Sequence, residues 1–422
     1  RTTSAHSPAM LGPYRVLDLT NERGLLCGQI LGDLGADVIS VEPPGGSPAR
    51  LIGPFYKDEP HPDRSLFWWA YNRNKRSITL DTDTSEGKEI FLSLVRTAHF
   101  VIESDAPGTL AQRGFGYDDL AAANPALVYV SITPFGQNGP KAGYADSDLI
   151  LFAAGGPLVL TGDDDRPPVR VSVPQAYLHA GADAAVGALI AHHERQRSGR
   201  GQHVDVSAQQ AVMQATFSTP LSMAYGWPAT RRLAGGFRYG PLVIPGVHRV
   251  KDGYVTITLL FGSSIGPMTR RLMEWVYDEG FCDEATRDKD WIAYADLLFS
   301  RQEPMEELTR IQDIVAEFLS TKTKAELLQA TLERGLLIAP ITTVDDVAHS
   351  EQLAARGYWQ ELGHPELGEC VRYPGPFAKF SATPIAYRRR PPTVGEHNRE
   401  VYIDELDMSD EQLAELERNG VV

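Results

Sequence analysis

Cysteine is scarce in this chain of 422 residues: Cys27, Cys282 and Cys370 are the three. They are far apart and odd in number, which argues against a disulfide framework and suits reduced thiols in the cytoplasm. Long apolar runs are missing too. No stretch approaches the roughly 18 apolar residues of a membrane span, and no signal-peptide hydrophobic region is present, so neither a membrane partner nor secretion is indicated. Basic charge is in deficit, with 40 Lys and Arg against 55 Asp and Glu and a net charge of −15. That disfavours a sequence-general nucleic-acid partner, and any polyanionic ligand must meet a local basic patch. The glycines between 24 and 35 lack the G-x-G-x-x-G order of a dinucleotide-binding turn. His192-His193-Glu194 lacks H-E-x-x-H spacing and the cysteines are unpaired, so no metal site is read.

What is present is a composition of 42% hydrophobic and 23% charged residues, that of a globular protein long enough for two lobes. Between 15 and 135, the strand-like runs RVLDL, ADVISVE, SITLD, HFVIES and LVYVSI alternate with helical spacing at Gly24–Leu34, Ser85–Thr97 and Tyr117–Ala123. This βαβ repetition predicts a Rossmann-like α/β lobe with a helix-covered parallel sheet, over 1–225. Parallel sheets bind ligands at the carboxyl ends of their strands. The loops to watch are therefore Asn21–Arg23, Pro43–Arg50, Ser104–Gly108 and Thr133–Pro140. Residues 209–245 read as a connecting region. A hairpin turning at Lys251–Gly253, with helical runs near 266–277, 290–299 and 306–333, predicts a smaller α+β lobe over 226–335. Residues 336–422 form a return segment ending in a helix capped by Ser409 and Gln412.

One stretch organises the rest. Ala180, Gly181, Ala182, Ala184, Ala185, Gly187, Ala188 and Ala191 predict a helix over about 173–197, thin enough on one side for another backbone to approach closely. Ser172 with Gln175 reads as its capping box, and Gly199 after Arg195 and Arg197 as its stop.

The run Ala191–Val206, with its Ser-Gly-Arg-Gly-Gln turn, resembles a segment of the class III (formyl-CoA-type) CoA-transferase family. The resemblance extends in order through RVLDLT at 15–20, GADVISVEPPGG at 35–46, NRNKRSITLD at 72–81, FGQNGP at 135–140, KDGYV at 251–255 and GEHN at 395–398. It implies that the C-terminal part rejoins the large lobe and that two chains interlock like linked rings. It also implies coenzyme A or an acyl-CoA as substrate, with a carboxylic acid as acceptor. The nucleotide end of coenzyme A would lie by Arg50, Arg73, Asn74, Lys75 and Arg76. Ser104, Arg113, Phe135 and Gly136 would lie along the remainder of the site.

The family's aspartate, near the start of the small-residue helix, corresponds here to Tyr177. Covalent CoA transfer needs a carboxylate that attacks a thioester, forms a mixed anhydride and is captured as an enzyme-bound thioester. A phenol, with an ordinary pKa near ~10, forms an aryl ester instead. Asp183 lies six positions further along the helix, and Asp146 and Asp148 are the nearby acids, read as salt-bridge or capping residues. Other positions depart from the family as well. Ser104-Asp105 and Gln112 replace its usual residues, and the shorter Asn21–Gly24 loop has no counterpart of its active-site glutamine. Ser147 stands where the racemase branch has a histidine. The resulting expectation is a subunit without the aspartate nucleophile, inactive alone, paired with an aspartate-bearing paralogue, in the manner of benzylsuccinate CoA-transferases. The alternative is a homodimeric acyl-CoA-binding protein, or an enzyme of different chemistry on the same fold.

Overall fold

The structure, a computed structural model, describes residues 9–227 and 232–422. These fall into two compact units, residues 9–159, 170–227 and 352–422 forming the first and residues 160–169 and 232–351 the second. The second unit runs past the sequence-predicted limit of 335 because strand Ile338–Pro340 pairs with strand Gly253–Ile257. Residues 160–169 join it through Arg232, which donates to the carbonyls of Asp163 and Arg166, and through the Arg238–Asp164 pair.

In the first unit the β-rich runs form β1 (Arg15–Asp18), β2 (Asp37–Glu42), β3 (Lys75–Thr79), β4 (Phe100–Glu103), β5 (Val128–Thr133) and β6 (His203–Ser207). All pair in parallel, in the order β3-β2-β1-β4-β5-β6. Between them lie α1 (Leu25–Asp33), α2 (Leu66–Tyr71), α3 (Ser85–Thr97), α4 (Thr109–Gln112), α5 (Tyr117–Ala123), α6 (Asp148–Gly155) and α7 (Ala176–Ser198). Successive strand residues face opposite sides, and both sides must be apolar in a covered sheet. Val16, Val38, Phe100 and Val130 meet α1 and α7 on one side. Leu17, Ile39, Val101 and Tyr129 meet α3, α5 and the C-terminal Tyr402 and Leu413 on the other. The predicted α/β architecture is present.

The small-residue helix is α7. A Cβ added at Gly181 would stand 3.1 Å from Leu26 Cβ and 3.4 Å from the Cys27 amide, so the α1 backbone lies directly against this face. The helix stops where Gly199 turns left-handed at φ 73°. Near its end His192 is buried against Tyr14 and Phe100, and Arg195 Nη2 lies 2.5 Å from its Nδ1. Arginine can only donate, so Nδ1 accepts and the ring is neutral.

The cations around the start of β3 are used inside the fold. Lys75 is fully buried and donates to Asp18 Oδ2 at 2.8 Å, to the Leu25 carbonyl at 2.9 Å and to Asn72 Oδ1 at 2.9 Å. Those bonds use all three of its protons. Arg50 clasps Glu42 at 2.6 and 2.7 Å, reaches Asp63 at 3.0 Å and lies 3.8 Å over the Trp68 ring. Arg73 bonds Asp33 at 2.7 Å. Asn74 also bonds Asp33 and accepts the backbone amides of Arg388 and Arg389. Arg76 joins Asp37, Glu400 and Glu405 at 2.6–2.9 Å. The bonds of Asn74 and Arg76 fasten the return segment to the sheet.

The second unit pairs strands Val247–Val250, Gly253–Ile257 and Ile338–Pro340 antiparallel, around a core that includes Met273, Trp291, Ile311 and Phe318. The hairpin turn lies where predicted. The helical run expected over 306–333 is two helices, Met305–Ser320 and Lys324–Arg334, because Thr323 and Glu326 form a capping box. The connecting region 209–245 includes helix Ser218–Ala224 and a short hairpin of Gly236–Tyr239 with Leu242–Pro245.

Two outcomes follow from this packing. Lys75→Met should destabilise the chain by about 3–5 kcal/mol in urea unfolding, because it strands the buried Asp18 carboxylate. Unchanged stability would show that the pair contributes nothing to folding. Burial and then the nearby Arg195 charge hold the His192 pKa at about 4. The unfolded ring, near ~6.5, takes up a proton that the folded ring refuses. This stability is complete above that value and drains as the pH falls toward 4, by up to about 1.4 kcal/mol per pH unit. Urea midpoints measured across that window should show a shallower slope for His192→Gln than for the parent chain.

Candidate functional site

The carboxyl ends of β1 to β4 surround a cleft of about 330 Å³. It lies where the strand order reverses between β1 and β4, the place where open parallel sheets take ligands. Asp18–Asn21 follow β1 into its wall, Ser40–Pro43 and Ser47 come from β2, and Leu80–Asp83 follow β3. Asp105, Leu110 and Arg113 complete it after β4. Ser104 Oγ donates to Asn21 Oδ1 and accepts the Asn21 amide, each at 2.9 Å, so it ties the β1 and β4 loops together. Arg113 enters the cleft and bonds Thr82 Oγ1 at 2.6 Å and Asp83 at 2.8 Å.

The structure therefore brings Arg113 into the cleft, uses Ser104 to join two of the loops around it, and gives Arg50 and the β3 cations other partners. Arg50, Arg73, Asn74, Lys75 and Arg76 are absent from its lining, and the donors of Lys75 and Arg50 point at buried carboxylates. Asn74 and Arg76 lie at the amino edge of the sheet, beside Arg388 and Arg389. For Arg73 to Arg76 the physical reason is direction, since a basic run opening a parallel strand stands at the end opposite the ligand-binding edge, whereas Arg50, which follows β2, is taken up by Glu42 and Asp63. Phe135 packs on the α7-side core, edge-on to Tyr144 with ring centroids 6.4 Å apart. Gly136 turns left-handed at φ 92° and bonds Thr133 Oγ1, which places both residues beyond β5, outside the cleft lining.

At the start of α7 the Ser172–Gln175 capping box does not form. Asp148, at the beginning of α6, accepts the Gln175 and Ala176 amides at 2.6 and 2.9 Å. A carboxylate thus sits on the positive end of α7, delivered from another element and occupied as a cap. Ser147 caps α6 by accepting the Ile150 amide. Tyr177 points its hydroxyl at Asp146 Oδ2, 2.5 Å away, and Arg23 holds the same carboxylate at 3.1 and 3.3 Å. The guanidinium lies 5.7 Å from the Tyr177 ring centroid. Burial, and then the bond to Asp146, push the Tyr177 phenol well above its usual range, so it stays protonated near neutral pH. Asp183 is bonded by Gln214. Arg23 was not singled out from the sequence: its partner lies 123 residues away.

Beside β4 and β5, the buried Glu103 accepts the Asp105 amide at 2.8 Å, and burial pushes its pKa up to about 7. A G-x-S-x-G run occurs at Gly262–Gly266 of the second unit, ahead of helix Gly266–Asp278. No histidine bonds its Ser264 among the described residues, so a serine triad is not formed there. Among those residues there is also no helix long and apolar enough to cross a membrane, and no metal-binding group of acids, histidines and cysteines.

Residues 11–398 match the family model described as CoA-transferase family III. Subunit BbsE of succinyl-CoA:(R)-benzylsuccinate CoA-transferase from Thauera aromatica is 34% identical over 392 residues, 93% of each chain. Succinyl-CoA–D-citramalate CoA-transferase from Chloroflexus aurantiacus is 32% identical over 424 residues, covering all of both. The crystal structure of a CAIB/BAIF family protein from Brucella suis superposes with a TM-score of 0.80 at 28% identity, over 93% of this chain and 98% of that one. This chain belongs to CoA-transferase family III.

Proposed function

We propose that this chain is the subunit of a hetero-oligomeric CoA-transferase that lacks the nucleophile. It pairs with an aspartate-bearing paralogue and helps to move CoA from an acyl-CoA donor to a carboxylic acid such as an aryl succinate. The observation that carries this reading is the state of Tyr177. Its hydroxyl is protonated and spent on Asp146, and Arg23 neutralises that acid in turn. Covalent CoA transfer through a mixed anhydride needs a carboxylate as the attacking group, and a phenol would give an aryl ester instead. Asp148, the carboxylate at the helix start, accepts two backbone amides and is occupied as a cap. The relative named as a subunit supports a partnered enzyme. In such a pair the partner supplies the attacking carboxylate, and this chain shapes the interface and the acceptor pocket.

The experiment is intact-mass analysis after incubation with succinyl-CoA. The lone chain should carry no hydroxylamine-sensitive adduct, whereas co-expression with an aspartate-bearing paralogue should yield transfer and place the adduct on the paralogue. An adduct on the lone chain would overturn the proposal. Tyr177→Asp in the lone chain should still give no turnover when CoA esters are followed by chromatography. The new carboxylate would face Asp146 and the cap Asp148, and groups that act as a unit are not restored singly. Appreciable turnover from that one change would show that only the nucleophile is missing.

A further inference from the structure

Glu103, the last residue of β4, is 4% exposed and lines a second cavity, of about 500 Å³. No lysine or arginine lines that cavity among the described residues. Buried carboxylates are ordinarily paired with a cation, whereas this one is held by hydrogen bonds. Its Oε2 accepts the Asp105 amide at 2.8 Å, and its cross-strand neighbour Ser131 bonds it as well. Ser131 is itself buried, and its Oγ lies 2.9 Å from Nε2 of the exposed His203. A hydrogen-bonded line thus runs from the surface through a buried hydroxyl to a buried acid.

The line accommodates two proton counts. With Glu103 ionised, Ser131 donates to it and His203 Nε2–H donates to Ser131 Oγ. With one proton added from solvent, the Glu103 hydroxyl donates to Ser131 Oγ, Ser131 donates to His203 Nε2, and the ring keeps its proton on Nδ1. The bonds survive in both, so the difference is the buried, uncompensated charge of the ionised arrangement. The surroundings add to its cost. Asp105 on the same loop and Asp205 on β6 are acids that act on Glu103. From α5 come Tyr117, Asp118 and Asp119, and from β5 comes Tyr129, whose hydroxyl donates to the Phe115 carbonyl. His203 stacks on Tyr117 with centroids 5.6 Å apart, and burial lowers its pKa, so it supplies no standing cation. Burial raises the Glu103 pKa to about 7, with the Ser131 and Asp105 bonds opposing.

An ionised Glu103 regains water by leaving its place beneath the loop that follows β4. That loop carries Ser104, which is tied to Asn21, and it supplies Asp105, Leu110 and Arg113 to the neighbouring cleft. We propose that Glu103 is a proton-operated latch on this loop: protonated, it holds the loop closed through Asp105 and Ser131, and ionised, it favours an opened form in which the carboxylate meets solvent. In the opened form the acid has its ordinary pKa, near ~4.3. The closed form is therefore at full strength below that value and weakens as the pH rises toward about 7. Above that both forms are ionised, and the loss is complete. The latch concerns the loop alone, so it fails separately from the subunit reading.

The test is hydrogen–deuterium exchange of the full chain, read by mass spectrometry on peptides covering residues 104–113 at about pH 5, 7 and 8. After correction for intrinsic exchange, protection should fall at least about tenfold between the first two and then level off. Glu103→Gln should hold it constant, because its amide donates to Ser131 Oγ and its carbonyl accepts the Asp105 amide. That change leaves the titrations of Asp105 and Asp205 in place and removes only this one. Protection that is flat in the parent chain, falls equally in Glu103→Gln, or falls alike in helix Met305–Ser320 of the second unit would overturn the proposal. Should Glu103→Gln fail to fold, Ser131→Ala carries the comparison. It keeps the acid but removes one donor to its ionised form, so the fall should continue above pH 7, and a plateau matching the parent would overturn the latch as well.

Discussion

Lys75 sends its ammonium from the start of β3 to Asp18 at the end of β1, and much of the first unit is arranged around that bond. The approach depends on glycine. A Cβ at Gly28 of α1 would stand 2.2 Å from Asp18 Oδ2 and 3.1 Å from Lys75 Nζ, so α1 can lie over the pair only because that position carries no side chain. The opposite side of α1 rests on the small face of α7 at Gly181. Buried charge, bare helix and small-residue helix thus form one stack, in which each layer requires the next to be thin.

The same economy of space separates the two edges of the sheet. At the amino edge, Arg15, Arg76 and Arg389 meet Asp37, Glu400 and Glu405, so the return segment is held by charge as well as by the apolar contacts of Val401 and Tyr402. At the carboxyl edge the acids gather instead, with Arg113 facing them. A chain with a net charge of −15 has few cations to distribute, and here most of those near β3 are committed to folding.

The start of α7 shows how a helix end is satisfied by groups brought from other segments. The helix end retains its preference for negative charge, and Asp148 answers it as a cap. Tyr177 is then free to become part of a hydrogen-bonded chain, Tyr177–Asp146–Arg23, that spans three separate segments. The arrangement is stable because every member has a partner.

The sequence by itself determined the parallel α/β lobe, α7 and its Gly199 stop, the hairpin at Lys251–Gly253 and the C-terminal capping box, because each depends on neighbours a few residues apart. It also carried the family resemblance and the tyrosine at 177. Only the tertiary structure decided where the charges go. Lys75 finds Asp18 across 57 residues, Asp148 caps a helix 28 residues ahead, and Arg76 reaches Glu405 across 329. A run such as Asn-Lys-Arg reads identically whether it faces a phosphate or a buried carboxylate. The difference lies in which acids the fold brings within 3 Å, and no local pattern records that.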